Sequence, residues 1–191
     1  MTTITIFGNG NMGTAIAGVF TSGGAQVQHI GSQQTDATVE GDLVVLAVPY
    51  PALADIATRY ADQLSGKTVV DITNPLNFAT FDALTVAAGS SAAAELAQAL
   101  PSSSVLKAFN TNFAATLTAK TVGPAATTVL IAGDDTDAKA ALAAAVTAGG
   151  VTAVDAGGLN RAHELEALGF LQLTLAAGET IGWTGGFALH R

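Results

Sequence analysis

The chain contains no cysteine. Disulfides, thiolate catalysis and thiolate-held metal are therefore excluded, and a reducing, cytoplasmic setting is the expectation. Cations are scarce: seven Lys and Arg stand against fifteen Asp and Glu, for a net charge of −8 and a pI of about 4.5. That balance argues against nucleic acid and against anionic membrane surfaces as partners. No Lys or Arg precedes Arg59, so a phosphate held by the N-terminal region is expected on backbone N–H groups and neutral side chains. Long apolar runs and signal-like segments are also missing, which leads us to expect a soluble protein. Only 12% of residues are charged while 49% are hydrophobic, so the 191 residues can bury a sizeable core and fit one domain, 1–191.

What is present begins at the N-terminus. The β-branched run Thr3–Phe7 ends in Gly8-Asn9-Gly10-Asn11-Met12-Gly13, and Ala15, Ile16, Val19 and Phe20 follow at helical spacing. This strand, G-x-G-x-x-G turn and helix form the context in which the dinucleotide fingerprint has a mechanism. Gly8 permits the tight turn, Gly10 lets a pyrophosphate approach the backbone, and Gly13 lets helix and sheet pack closely. The helix N-terminus offers free N–H groups to phosphate oxygens.

Strands then alternate with helices. The pattern predicts strands over Gln26–Ile30, Leu43–Val48, Thr68–Ile72, Val105–Phe109, Thr127–Ala132 and Val151–Asp155. It predicts helices over Asn11–Ser22, Ala52–Leu64, Ala92–Leu100 and Asp137–Ala148, and a last one opening at Asn160. Residues Asn77–Gly89 read as irregular, a candidate flap. The alternation implies an α/β, Rossmann-like fold with a mostly parallel sheet and helices on both faces. Leu43–Val48 is apolar throughout, as a strand buried on both faces should be, and is expected beside Ile4–Phe7. Between Ile30 and Leu43 the chain is short, so the fold is expected to be abbreviated after its second strand, leaving that strand as a free edge.

In such a sheet, ligands bind outside the carboxyl ends of the strands. The rim made by those ends is small and neutral, rich in Asn, Thr, Ser and Pro. It offers no catalytic triad, no metal-ligand cluster and no carboxylate pair, and no residue is assigned a catalytic role. His29 reads as a satisfied strand residue, His163 as part of a solvated helix turn, and His190 as incidental. Asp71 reads as a group that orients the Thr73-Asn74 turn by hydrogen bonds. Trp183 and Phe187 read as packing for the tail. A nucleotide site without an acid or base suits direct hydride transfer between rings, where the protein holds the rings together and keeps water out. An alcohol dehydrogenase would need a Lys, His or Tyr for the hydroxyl proton.

The segments TITIFGNGNMG, GSQQ, DLVVLAVPY, VVDITNPLN, KAFNTN, IAGDD and VDAGGLNRAHELEAL occur in this order. Together they resemble the NADPH-dependent coenzyme F420 reductases (F420:NADP oxidoreductases) and their dinucleotide-binding relatives, including the oxidoreductase domains of the STEAP metalloreductases. The resemblance implies NADP(H) along the rim, with a flavin or deazaflavin (F420) as the second substrate. By motif match, Gly8, Asn9, Gly10, Asn11 and Met12 would cradle the pyrophosphate. Ser32 and Gln33 would lie at the adenosine 2′-phosphate, and Ala47, Val48 and Pro49 along the ribose. Asn74, Pro75 and Leu76, with Ala108, Phe109 and Asn110, would border the nicotinamide. Gln33 stands where the family usually has Arg, and the family's usual helix and strand before Leu43 are missing.

The function expected is hydride transfer between NADP(H) and a flavin-like or deazaflavin acceptor. Reduction of another small acceptor, such as a quinone or a ferric chelate, is a second reading, and a non-catalytic NAD(P)-binding sensor a third. The first carboxylate after strand two is Asp36, so the acid that typically holds the NAD ribose is absent and NADP is permitted. Without a bidentate Arg the NADP preference is expected to be modest, about 1–2 kcal/mol. The leucines of the last helix fit a homodimer face and packing within the domain equally well.

Overall fold

A computed structural model of the chain describes residues 2–189; His190 and Arg191 lie outside the described residues. β1 (Thr3–Phe7) leads through the glycine turn into α1 (Asn11–Ser22), and β2 (Gln26–Ile30) returns parallel to β1. β3 (Leu43–Leu46) lies on the other side of β1 with Ile4 opposite Leu43 and Phe7 opposite Leu46, the predicted pairing, although the strand ends before Val48. β4 (Thr68–Asp71) and β5 (Ser104–Lys107) extend the parallel sheet, and α4 (Ala92–Ala99) connects them. β8 (Thr128–Gly133) pairs antiparallel to β5, and β9 (Thr152–Gly157) runs parallel to β8, with α6 (Thr136–Ala148) between them. The sheet order is β2-β1-β3-β4-β5-β8-β9.

Two cores cover the two faces of this sheet. Ile4, Ile6, Val45, Val70 and Leu106 face α1 and α6 with Ile16, Phe20, Leu142 and Val146. Phe7, Val44, Leu46, Val69 and Val105 face the other way, toward Leu53, Leu64, Leu96 and Leu100. Burial on both faces is why β3 has no polar alternation.

The crossover from β2 to β3 contains no strand, and among the described residues nothing pairs outside β2. Polar side chains hold it in place. Gly41 N–H donates to Thr5 Oγ1 at 2.9 Å, Gln28 Nε2 to the Thr38 carbonyl at 2.8 Å, and Val39 N–H to Gln63 Oε1 at 2.8 Å.

Three local expectations need correction. The helix expected over Ala52–Leu64 is a 3-10 turn, Tyr50–Ala52, then α2 (Leu53–Arg59) and α3 (Ala61–Leu64), broken at Tyr60. Tyr60 leaves helical geometry because its hydroxyl donates to the carbonyls of Gln34 (2.9 Å) and Thr35 (3.0 Å) while its ring packs edge-on against Phe7. After β5 the sequence reading contained no helix, whereas α5 (Ala114–Ala119) packs beside α1 and a small hairpin follows, β6 (Thr121–Val122) with β7 (Ala125–Ala126). Phe109, expected in a strand, instead has a left-handed backbone (φ 62°), uncommon for a side-chain-bearing residue, and its buried ring is held against Phe20.

The last helix, α7 (Ala162–Ala177), differs most from its pattern. Its buried face is Ala162, Leu165, Glu166, Gly169, Gln172 and Ala176, so the leucine stripe is not the buried face and Leu171 is 49% exposed.

Candidate dinucleotide and hydride-transfer site

The glycine turn is built as its chemistry requires. Gly8 has φ +102°, and a Cβ there would collide with the Ala47 carbonyl. A Cβ on Gly13 would come within 2.6 Å of the Gly8 carbonyl, so α1 can pack this close only with glycine. A Cβ on Gly10 would meet nothing within 4 Å, leaving open space over the backbone at the start of α1. The Nδ1–H of His29 donates to the Gly8 carbonyl at 2.9 Å, tying the edge strand to the turn.

Two cavities flank this turn along the carboxyl ends of the strands. One, of about 370 Å³, is lined by Gly8, Asn9, Gly10, Ser32, Ala47, Val48 and Pro49, together with Tyr60 and Arg59. Gln33 is exposed and does not line it. The other, of about 440 Å³, is lined by Asn11, Met12, Asn74, Phe109 and Asn110, with Asn112, Phe113 and Trp183 among the rest. Pro75, Leu76 and Ala108 do not line it; Leu76 and Ala108 are buried, at 5% and 0% exposure. None of the described residues around the second cavity ionises, and among the described residues no cluster of three or more His, Asp or Glu could hold a metal.

Asn74 and Asn110 are locked to each other. Asn74 Nδ2 donates to the Asn110 carbonyl at 2.8 Å, and Asn110 Nδ2 donates to Asn74 Oδ1 (2.9 Å) and to the Leu165 carbonyl (2.8 Å). Gly169 makes that contact with α7 possible, because a Cβ there would fall 2.9 Å from the Asn110 carbonyl and against the Asn74 amide. Asn110 Oδ1 and Asn112 Oδ1 are buried acceptors with no hydrogen-bond partner. Such groups are costly unless something donates to them. Trp183 packs on Phe113 at 5.0 Å, as its reading as tail packing requires, but it also walls this cavity.

Below the rim, to which the expectation of no carboxylate pair applied, two buried carboxylates do share a lysine. Lys107 Nζ lies 2.8 Å from Asp71 Oδ2 and 2.7 Å from Glu166 Oε1, with all three side chains at 0% exposure. Its third proton goes to the Thr73 carbonyl. Asp71 Oδ1 accepts from Thr73 N–H at 2.8 Å, the turn-orienting role read for it. Glu166 Oε2 accepts from Ala92 N–H at 3.0 Å, at the N-terminus of α4, where the helix dipole favours negative charge. Burial nevertheless pushes the Glu166 carboxyl above the usual range, against the pull of the Lys107 ammonium. Register was the available signal: Asp71 and Lys107 end adjacent buried strands and are direct partners. His163, read as solvated, is half-buried with Nδ1 3.0 Å from the Ser90 carbonyl. Beside α4, Tyr50 donates to Glu95 at 2.6 Å, which raises the phenol to about 12.

The sheet order, the glycine turn and the paired cavities define a dinucleotide-binding fold of the Rossmann type. Residues 25–75 match the family described as NADP oxidoreductase, coenzyme F420-dependent. The chain is 32% identical over 149 residues to the F420-dependent NADP reductase of Methanocaldococcus jannaschii, covering 76% of this chain and 66% of that one, just under two thirds of its length. Over these spans the chain is similar to the F420-dependent NADP oxidoreductases. Among solved structures, a protein of Arthrobacter sp. FB24 provisionally named an F420-dependent NADP reductase superposes with a TM-score of 0.84 at 24% identity, over 98% of this chain and 99% of that one. The hypothetical protein SMa0349 of Sinorhizobium meliloti superposes with a TM-score of 0.70 at 30% identity, over 83% and 86%. No helix among the described residues is long and apolar enough to cross a membrane.

Proposed function

We propose that the protein is an NADP(H)-dependent oxidoreductase that moves hydride between the nicotinamide and a flavin-like or deazaflavin ring. The observation that carries this reading is the pairing of two cavities across one glycine turn, one at β1–β2 that carries Asp55 and Arg59 and one at β4–β5 lined by asparagines and apolar side chains with no ionisable group. The residues fit the cofactor. Gly10 leaves the backbone bare where a diphosphate would lie, and Asn74, Asn110 and Asn112 line the cavity that would take the nicotinamide.

NADP(H) would supply the hydride chemistry, and the chain would supply position. Gly8 to Met12 would hold the diphosphate on backbone N–H groups at the α1 N-terminus. Ala47, Val48 and Pro49 would line the ribose. The locked Asn74–Asn110 pair would fix one edge of the nicotinamide, and Phe109, Phe113 and Trp183 would keep water away from the ring faces. Holding two rings in contact provides much of what such a transfer needs, with no acid or base from the protein.

The test is oxidation of NADPH against four acceptors: deazaflavin F420, FMN, a quinone and a ferric chelate. Rapid turnover is expected with the deazaflavin or FMN. Turnover only with quinone or ferric chelate would move the acceptor class, and binding without turnover on any acceptor would favour the sensor reading.

A further inference from the structure

The adenosine end contains a cation that the Gly31-Ser32-Gln33-Gln34 segment lacks. Arg59, the last residue of α2, lines the 370 Å³ cavity together with Gly31, Ser32 and Thr35, and it is the only cation among the described residues that do so. Its place over the loop is fixed by its neighbour Tyr60, whose hydroxyl is bound to the Gln34 and Thr35 carbonyls. The guanidinium rests on Asp55, one helical turn earlier, 3.0 Å from Oδ2. The two side chains are 41% and 67% exposed, so water screens the pair and a stronger anion can replace the carboxylate. A guanidinium matches a phosphate with two parallel N–H donors, which no neutral side chain offers.

We propose that Arg59 is a specificity-determining residue for the adenosine 2′-phosphate of NADP(H), exchanging Asp55 for the phosphate when the cofactor binds. The inference rests on the reading that this cavity takes the adenosine half of the dinucleotide. Ser32, in the same lining, adds a hydroxyl donor. Asp55 becomes the opposing element: it occupies Arg59 in the free protein and repels the incoming dianion. A cation delivered from α2 makes Arg at position 33 unnecessary, and the NADP preference is therefore larger than neutral donors alone would give.

Calorimetric titration of adenosine 2′,5′-bisphosphate and of 5′-AMP, then of NADPH and NADH, tests this in wild type, Arg59→Ala and Asp55→Ala. Arg59→Ala is expected to weaken the bisphosphate and NADPH about tenfold while 5′-AMP and NADH change less than about twofold. Asp55→Ala is expected to tighten the two 2′-phosphate ligands severalfold. Equal weakening of all four ligands by Arg59→Ala would mean that Arg59 packs on the adenine, and would overturn the assignment. So would an unchanged ratio of NADPH to NADH affinity. If wild type bound neither dinucleotide, the cavity reading itself would fall, and this one with it.

Discussion

At the β4–β5 end, the rim rests on Lys107, Asp71 and Glu166, none of which reaches solvent, and on two asparagines bound to each other and to α7. At the β1–β2 end it rests on an edge strand, a crossover without regular structure held by hydrogen bonds from side chains such as Gln28 and Gln63, and an ion pair open to water. The contrast follows from what each end has to do under the proposed function. Hydride transfer tolerates little displacement of one ring against another, so its scaffold is over-determined. Recognition of a phosphate far from the reacting carbon needs affinity and selectivity, both of which exposed donors can supply and exchange.

The strongest way to break the contrast is Lys107→Met. Two buried carboxylates would lose their counter-charge, and urea unfolding should register a loss of about 3–5 kcal/mol near neutral pH. The deficit should shrink on acidification. An unpaired buried carboxylate has a folded pKa above its unfolded one, so stability is retained below the unfolded value and lost as pH rises through the folded one. A loss under about 1 kcal/mol would show that the cluster is not the foundation described.

Gly169→Ala is the next largest. Its methyl group would press on the Asn74–Asn110 pair, at a cost of about 1–3 kcal/mol of overpacking. Hydride transfer should fall, while affinity for adenosine 2′,5′-bisphosphate should stay at the wild-type level in calorimetry. Loss of both together would mean that the ends are not separable. Tyr60→Phe is the smallest, about 1 kcal/mol in the same unfolding experiment, because the Gln34 and Thr35 carbonyls it releases belong to an exposed loop that water can reach. Its signature should be weaker binding of the bisphosphate with turnover at saturating NADPH unchanged.

How much of this the sequence disclosed depends on how local each feature is. Gly8, Gly10 and Gly13 announce the turn because three backbone demands fall within six residues of one another. The free edge at β2 was legible because residues 31–42 are too few for another strand and its helix. The break at Tyr60 was not, since its cause is a hydroxyl reaching back to residues 34 and 35. The place of Arg59 in the cavity lining was not legible for the same reason: only the packing of α2 beside that loop brings it there. Glu166 looked like one polar position on a leucine-rich helix. Its role depends on Asp71 and Lys107, which are distant in sequence, and the leucine period left the buried face of α7 open, where Glu166, Gly169 and Gln172 turn inward with Leu165.

The position of α7 in the chain has a consequence for assembly during synthesis. Everything at the β1–β3 side of the rim is encoded before residue 65, whereas Glu166, the Leu165 carbonyl and Gly169 emerge from the ribosome after the nine strands of the described residues. Domains grow from the N-terminus as they are made, and long-range contacts form slowly because a loop must first close. Until α7 docks, Lys107 has only Asp71 as counter-charge and the α4 N-terminus lacks the carboxylate that accepts from Ala92. A nascent chain can therefore shape its glycine turn early, yet it completes the β4–β5 end of the rim only when its last helix arrives.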